Sequence, residues 1–279
     1  MRAIPNQYAA LRIEGEQDRR ADGIYDLMNG IGAHEVIVET PDHDAHIAEY
    51  PAGKTIEVLT MYRDRARDLQ GDQRFRYIQL FRNHGMSAGA PISHPHSQLI
   101  ALPITPRWVK EELVCAKSHW QSKERCLFCD ILRQEERDGS RIVWQNGDFL
   151  SFAPFAAKFP FETWILPRRH SCEFNRTEDR ELGPLAETIC NTLWAIRAAL
   201  NDPPFNYIIH SAPRLTPDRY AAGAISIEKD YHWHIEVIPR VTRMAGFEWG
   251  TGFYINPTLP ETAAAYLREM LEERKREQG

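Results

Sequence analysis

Apolar and polar positions recur along this chain in an order that is run through twice. In the first half His34-Glu-Val-Ile-Val-Glu-Thr-Pro-Asp-His43 reads as a β-strand broken by proline and followed by a histidine; in the second, Phe152-Ala-Pro-Phe-Ala-Ala-Lys-Phe159 and Thr163-Trp-Ile-Leu-Pro-Arg-Arg-His170 repeat that order. Apolar residues at helical spacing follow each: Ile56, Leu59, Ala66 and Leu69, then Leu182, Leu185, Ile189, Leu193, Ile196 and Leu200. Thr177 suits the N-cap of the second helix, with Glu178 and Asp179 placing negative charge in its first turn. Each helix leads into an apolar strand (76–81 and 206–209), a polar loop with glycine, and a strand carrying paired histidines. Those strands are His94-Pro-His-Ser-Gln-Leu-Ile-Ala-Leu-Pro103 and His232-Trp-His-Ile-Glu-Val-Ile-Pro239. A last helix is expected over 261–276, with Ala264, Leu267, Met270 and Leu271 on one face and Pro260 near its first turn.

The pattern predicts an α+β fold made of two units, residues 1–118 and 119–279, each a mostly antiparallel sheet with one long helix, joined between about residues 115 and 125. Cys126-Leu-Phe-Cys129 lies well upstream of Phe152, so its first-half counterpart would fall before Met1. The first unit is therefore expected to lack its opening strands, the chain beginning downstream of the true N-terminus.

Composition narrows the function classes. The 279 residues are 43% hydrophobic and 26% charged with a net charge of −5, which gives no basic excess for nucleic acid. No apolar run nears the roughly 20 residues of a membrane helix, and no signal pattern opens the chain, so the expected setting is cytoplasmic. Five cysteines make an odd count, which argues for reduced thiols and metal ligands over a disulfide framework.

On a strand, alternate side chains share a face, so His94, His96 and Gln98 are expected to project together. A neutral imidazole at His96 is a competent nucleophile toward phosphorus, and Gln98 can donate to phosphoryl oxygens but cannot serve as acid or base toward water. That favours transfer over hydrolysis. An isolated His-x-His can also be a metal site or a polar sheet face. The preceding loop, Phe81-Arg-Asn-His-Gly-Met-Ser-Ala-Gly-Ala90, places Gly85 and Gly89 where a backbone approaches a phosphate closely. Cys126 and Cys129 have zinc-ligand spacing, and His170 with His232 completes a Cys2His2 set. The repeat puts His43 and His94 in the equivalent first-half positions, half of a second site. Glu112, His210 and His234 could instead join His232 in a carboxylate and imidazole site, a competing use of one side chain. His34, His46, His84 and His119 read as ordinary polar residues.

Together Asn83-His-Gly, His94-Pro-His-Ser-Gln98, Cys126-Leu-Phe-Cys129, His232-Trp-His234 and 245–256 (Ala-Gly-Phe-Glu-Trp-Gly-Thr-Gly-Phe-Tyr-Ile-Asn) resemble the galactose-1-phosphate uridylyltransferase family over nearly the whole chain. The resemblance implies a tandem pair of histidine-triad-like units, a homodimer with active sites near the subunit interface, and ping-pong transfer of UMP from UDP-glucose to galactose 1-phosphate. His96 then matches the nucleophile and Gln98 the phosphate-contacting glutamine. Asn6 and Asn83 match nucleotide-contacting asparagines, and Phe247, Glu248 and Asn256 fall in the segment that holds the hexose. The second-half CxxC is more like a plant-type branch that includes an ADP-glucose phosphorylase, so the base stays open. A zinc-stabilised module that binds nucleotide without catalysis is the alternative of a different class.

Overall fold

The computed structural model describes residues 1–214 and 226–278. Strands β1 (Arg2–Pro5), β4 (Ala33–Val38), β5 (Tyr77–His84), β6 (His96–Leu102), β7 (Ile142–Gln145), β8 (Phe149–Phe152), β9 (Thr163–Pro167), β10 (Phe205–His210) and β11 (His234–Pro239) form one sheet. Its order is β1-β4-β6-β5-β10-β11-β9-β8-β7, and every neighbouring pair is antiparallel. A small hairpin of β2 (Arg20–Asp22) and β3 (Tyr25–Leu27) stands apart from it. The α+β class and the antiparallel sheet are as the sequence pattern predicts. The internal repeat is visible as well: β4-β6-β5 on one side of the β5–β10 junction answers β9-β11-β10 on the other.

Alternation along the strands sorts side chains onto two faces. Leu99 and Ala101 of β6, Phe149 of β8, Ile165 of β9 and Ile235 and Val237 of β11 enter the large core, together with helices α1 (Ala52–Gln70) and α4 (Asp179–Leu200). Val58, Leu59, Tyr62, Ala66 and Leu69 of α1 and Leu182, Leu185, Ile189, Leu193 and Ile196 of α4 are the buried stripes, close to the periodic sets read from the sequence. The last helix, Pro260–Gln278, packs Ala264, Leu267 and Leu271 into the same core. Helix α4 begins one residue later than expected: Glu178 is the N-cap and Glu181 Oε2 accepts its N–H at 2.7 Å. Thr177 instead turns its hydroxyl back to the Phe174 carbonyl at 2.6 Å, closing a 3-10 turn.

The other face carries a second core on the second half of the sheet. Leu150 and Phe152 of β8 and Leu166 of β9 pack in a second, smaller core with Ala116 of α2 (Arg107–Lys123) and Phe128 and Leu132 of α3 (Leu127–Asp138). The stretch read as a junction, 115–125, is thus largely the end of α2. Helices α2 and α3 lie on the second half of the sheet, and their placement decides which histidines are sealed.

Candidate active site and metal centres

Strand β6 turns Ser97, Leu99 and Ala101 into the core and leaves His96, Gln98 and Ile100 on the partly open face. It begins at His96, so the expected row of three is shortened: His94 precedes the strand, and its ring turns to His43 and the Thr40 carbonyl. His96 Nδ1–H donates to the His94 carbonyl at 2.8 Å. That bond sets the tautomer of the neutral ring, with the lone pair on Nε2. His96 lines a cleft of about 230 Å³ with His94, Asn83, Gly85, Met86, Ser93 and neighbouring backbone. Whole-ligand pockets run from roughly 300 to 1,000 Å³, so the cleft is smaller than a site that encloses an entire ligand.

The loop wall of the cleft needs its glycines. Gly85 has φ +80, and a Cβ there would meet Pro204 Cβ at 2.9 Å; Gly89 has φ +89 and closes the 3-10 turn 86–88. Asn83, in β5, receives on its Oδ1 the Asn206 Nδ2–H at 2.8 Å. Gln98 Oε1 lies 2.8 Å from His34 Nε2, and Asn6 Nδ2 lies 3.1 Å from the same nitrogen. Asn83, Gly85 and His96 line the cleft and Gly89 closes the loop beside it, whereas Asn6 and Gln98 meet at His34, outside the cleft lining. Phe247 and Glu248, on a short exposed helix at Gly246–Thr251, and Asn256 do not line the cleft. Glu248 accepts the Ala245 N–H at 2.9 Å, and Asn256 donates to the Ala157 carbonyl at 3.1 Å.

Behind β6, on the core face, is a polar network that the sequence reading missed. Glu39 is fully buried; Arg82 Nε donates to it at 3.1 Å, Tyr50 OH at 2.9 Å, and Ser97 Oγ closes the set. Tyr62 bonds Ser97, and Tyr207 OH reaches Tyr62 at 2.6 Å. Burial opposes the Glu39 charge, but Arg82 and these donors hold its carboxyl below the ordinary range.

The expected Cys2His2 set converges. The donor atoms of Cys126, Cys129, His170 and His232 lie within 4.8 Å of one another. Cys129 Sγ is 3.4 Å from His170 Nδ1 and 3.6 Å from His232 Nδ1. His170 Nε2–H donates to the Glu228 carbonyl at 2.9 Å, which frees its Nδ1 lone pair to face the sulfurs. Two sulfurs and two oriented imidazoles fit Zn²⁺. In the first half, His94 Nε2–H donates to the Thr40 carbonyl at 2.8 Å and its Nδ1 meets His43 Nδ1 at 2.9 Å, the same arrangement. Among the described residues no group of three or more candidate ligands forms around that pair.

The competition for His232 does not arise. Glu112, His210 and His234 cluster with Glu236 instead, leaving His232 to the cysteines. His210 Nδ1 lies 2.9 Å from Glu112 Oε1, and Tyr231 OH donates to Glu112 Oε2 at 2.9 Å. Burial resists both charges, but Glu236 and Glu112 lift His210 to about 9, and His210 draws Glu112 down to about 2. His234, buried and beside His210, is pushed down to about 4 and is neutral.

A third cluster joins His46, His84 and Asp202. His46 Nδ1 accepts the Ala48 N–H at 3.1 Å, so the neutral ring carries its proton on Nε2, which faces Asp202 Oδ1 at 3.3 Å. A protonated nitrogen has no lone pair for a metal. The cluster therefore reads as two imidazoles on one carboxylate, His84 Nε2 also being 3.3 Å from Asp202 Oδ1.

Residues 32–279 match the model of a family described as a domain of unknown function, DUF4921. ADP-glucose phosphorylase of Arabidopsis thaliana is 34% identical over 272 residues, 97% of this chain and 74% of that protein. Galactose-1-phosphate uridylyltransferase of Thermotoga maritima is 31% identical over 249 residues, 85% of this chain and 74% of that protein. Among solved structures, the Arabidopsis phosphorylase with bound ADP-glucose superimposes with a TM-score of 0.84 at 34% identity, over 96% of this chain and 81% of that one. A uridylyltransferase superimposes with a TM-score of 0.88 at 30% identity, over 98% and 86%.

Proposed function

The chain belongs to the galactose-1-phosphate uridylyltransferase family and carries the DUF4921 domain, and from that premise we propose that it moves a nucleoside monophosphate from a nucleotide sugar to a phosphate-bearing acceptor through a covalent adduct on His96. The observation that carries this is the His96 tautomer: Nδ1–H is spent on the His94 carbonyl, so the neutral ring of this cleft residue has its lone pair on Nε2.

The atoms balance without an external base. The Nε2 lone pair attacks the phosphorus next to the nucleoside, the P–O bond to the outer phosphate breaks, and hexose 1-phosphate leaves with that electron pair. The adduct is a phosphoramidate on a ring still carrying the Nδ1 proton, and the His94 carbonyl stabilises its positive charge. A phosphate oxygen of the acceptor then attacks the same phosphorus, the P–N bond breaks, and Nε2 recovers its lone pair. Gln98 and Asn83 donate to the phosphoryl oxygens as charge shifts onto them. Gln98 offers no acid or base to activate water, so the adduct persists until an acceptor arrives.

A zinc ion held by Cys126, Cys129, His170 and His232 would tie α3 to the ends of β9 and β11 as a structural element. Hexose binding by Phe247, Glu248 and Asn256 would require them to reach the cleft of a second copy, so the proposal includes a homodimer. It also includes a cytoplasmic setting and no nucleic-acid partner. Among the described residues no helix is long and apolar enough to cross a membrane.

ADP-glucose with inorganic phosphate is the substrate pair supported by the relative matching 97% of the chain. UDP-glucose with galactose 1-phosphate is the second reading, supported by the Thermotoga relative. Steady-state rates with both pairs, varying donor and acceptor together, test the proposal. Parallel double-reciprocal lines with one pair are expected; intersecting lines would mean direct transfer and overturn the adduct.

A further inference from the structure

A primary amide helps a phosphoryl oxygen only if its NH2 end faces that oxygen; turned over, it presents a carbonyl to an anion and repels it. Something must therefore set the sense of Asn83 and Gln98. The geometry points to Asn206 and His34 as the positioning residues that do so, each passing on the direction of a backbone group that cannot turn. The inference rests on the proposed nucleotidyl transfer at His96 and deepens it.

For Asn83 the fixed group is the Ala88 carbonyl, which can only accept. Asn206 Nδ2 lies 2.8 Å from it, so the NH2 end of Asn206 faces this way. The same Nδ2 is 2.8 Å from Asn83, whose facing atom must then be Oδ1. The NH2 of Asn83 is left turned to the glycine loop; a Cβ on Gly89 would stand 3.5 Å from Asn83 Nδ2. Asn206 belongs to β10 and pairs with Asn83 of β5 across the junction between the two halves of the sheet. The second half thereby sets a phosphate contact of the first.

For Gln98 the fixed group is the Ala10 N–H, which can only donate. It lies 3.2 Å from His34 Nδ1, so the neutral His34 ring carries its proton on Nε2. That proton faces Gln98 at 2.8 Å, which requires Oε1 on that side and turns the Gln98 NH2 away from His34. Asn6 takes the Tyr8 N–H on its Oδ1 at 2.8 Å, so its own NH2, 3.1 Å from the same His34 nitrogen, gains no acceptor there and keeps its protons for a ligand. His34 and Gln98 share a face because β4 and β6 are neighbours, with His34 opposite Ile100 and Val36 opposite Gln98.

Double-mutant cycles on the single-turnover rate of adduct formation with ADP-glucose or UDP-glucose test this. Asn206→Ala and His34→Leu should each slow the step by roughly 10- to 100-fold, as loss of an orienting partner typically does. The same changes should cost less than about twofold in Asn83→Ala and Gln98→Ala backgrounds respectively, because the group they aim is gone. His34→Gln, which can present an N–H to Gln98 Oε1, should recover most of the rate that His34→Leu loses. Full additivity in both backgrounds, or wild-type rates for both single variants, would overturn the inference. Absence of any adduct in the wild-type protein would count against the proposed function alone; the same cycles run on ADP affinity then decide whether the amides are aimed.

Discussion

His96 and His234 make the same hydrogen bond at equivalent places in one sheet: each ring places Nδ1 against the carbonyl two residues earlier, at 2.8 Å to His94 and 3.2 Å to His232. Their surroundings then diverge. His96 borders the cleft, whereas His234 is stacked on Phe128, Trp164 and His210, with centroid separations of 5.0, 5.1 and 4.8 Å. Glu236 stands where the first half has Gln98, and a carboxylate there would repel a phosphate. Helices α2 and α3 have closed the second copy of the site.

One prediction follows from that contrast. His96→Gly should abolish nucleotidyl transfer, while His234→Asn should change the transfer rate less than about threefold and lower stability, since it alters a fully buried ring. Thermal melts and initial rates on the two variants check both parts; a His234→Asn protein that melts normally but transfers nothing would contradict the assignment.

Arg82 and Glu39 form a buried ion pair behind the reactive strand, 3% and 0% exposed, so removing one partner strands the other. Arg82→Met is expected to destabilise the protein by about 3–5 kcal/mol in urea unfolding. A shift under about 1 kcal/mol would mean that Tyr50, Ser97 and Tyr62 alone satisfy the carboxylate.

A feature shows in the sequence where local spacing carries it. His96 and Gln98 could be found because a half-exposed strand displays its period in sequence, and Cys126 and Cys129 because metal spacing is local. His34 reads as one polar residue among others, because its contact with Gln98 exists only once β4 lies beside β6. Glu39 and Arg82 are 43 positions apart and meet through sheet order. Helix α2 gives no signal in sequence because its buried positions are only Val109 and Ala116, too sparse a stripe to mark a helix. Helix α3 shows in sequence through its cysteines rather than through Phe128, which stacks on His234.

The Cys2His2 centre should bring about one equivalent of zinc per chain through purification, measured by inductively coupled plasma mass spectrometry. Chelation, or Cys126→Ser, should lower the thermal midpoint by at least about 5 °C. Metal-free protein with an unchanged midpoint would refute a structural zinc at this position.

Glu112 and His210 give stability a pH window. Glu112 titrates at about 2 when folded, below its ordinary 4.5, so its contribution is complete above about 4.5 and is lost as pH falls toward 2. His210 titrates at about 9, above its ordinary 6.5, so its contribution is complete below about 6.5 and is lost as pH rises through 9. Urea midpoints should therefore fall between pH 6.5 and 9 in the wild type and fall less in His210→Gln. Parallel profiles for the two proteins would rule out His210 as the source.

A phosphorus bond to His96 Nε2 is seen most directly by mixing the protein with ADP-glucose or UDP-glucose labelled in the phosphate next to the nucleoside, quenching, digesting and mapping the label. An acid-labile, base-stable adduct is predicted on His96, absent from His96→Gly and discharged by the acceptor. Label on another residue, or no protein-bound label from either donor, would contradict the account.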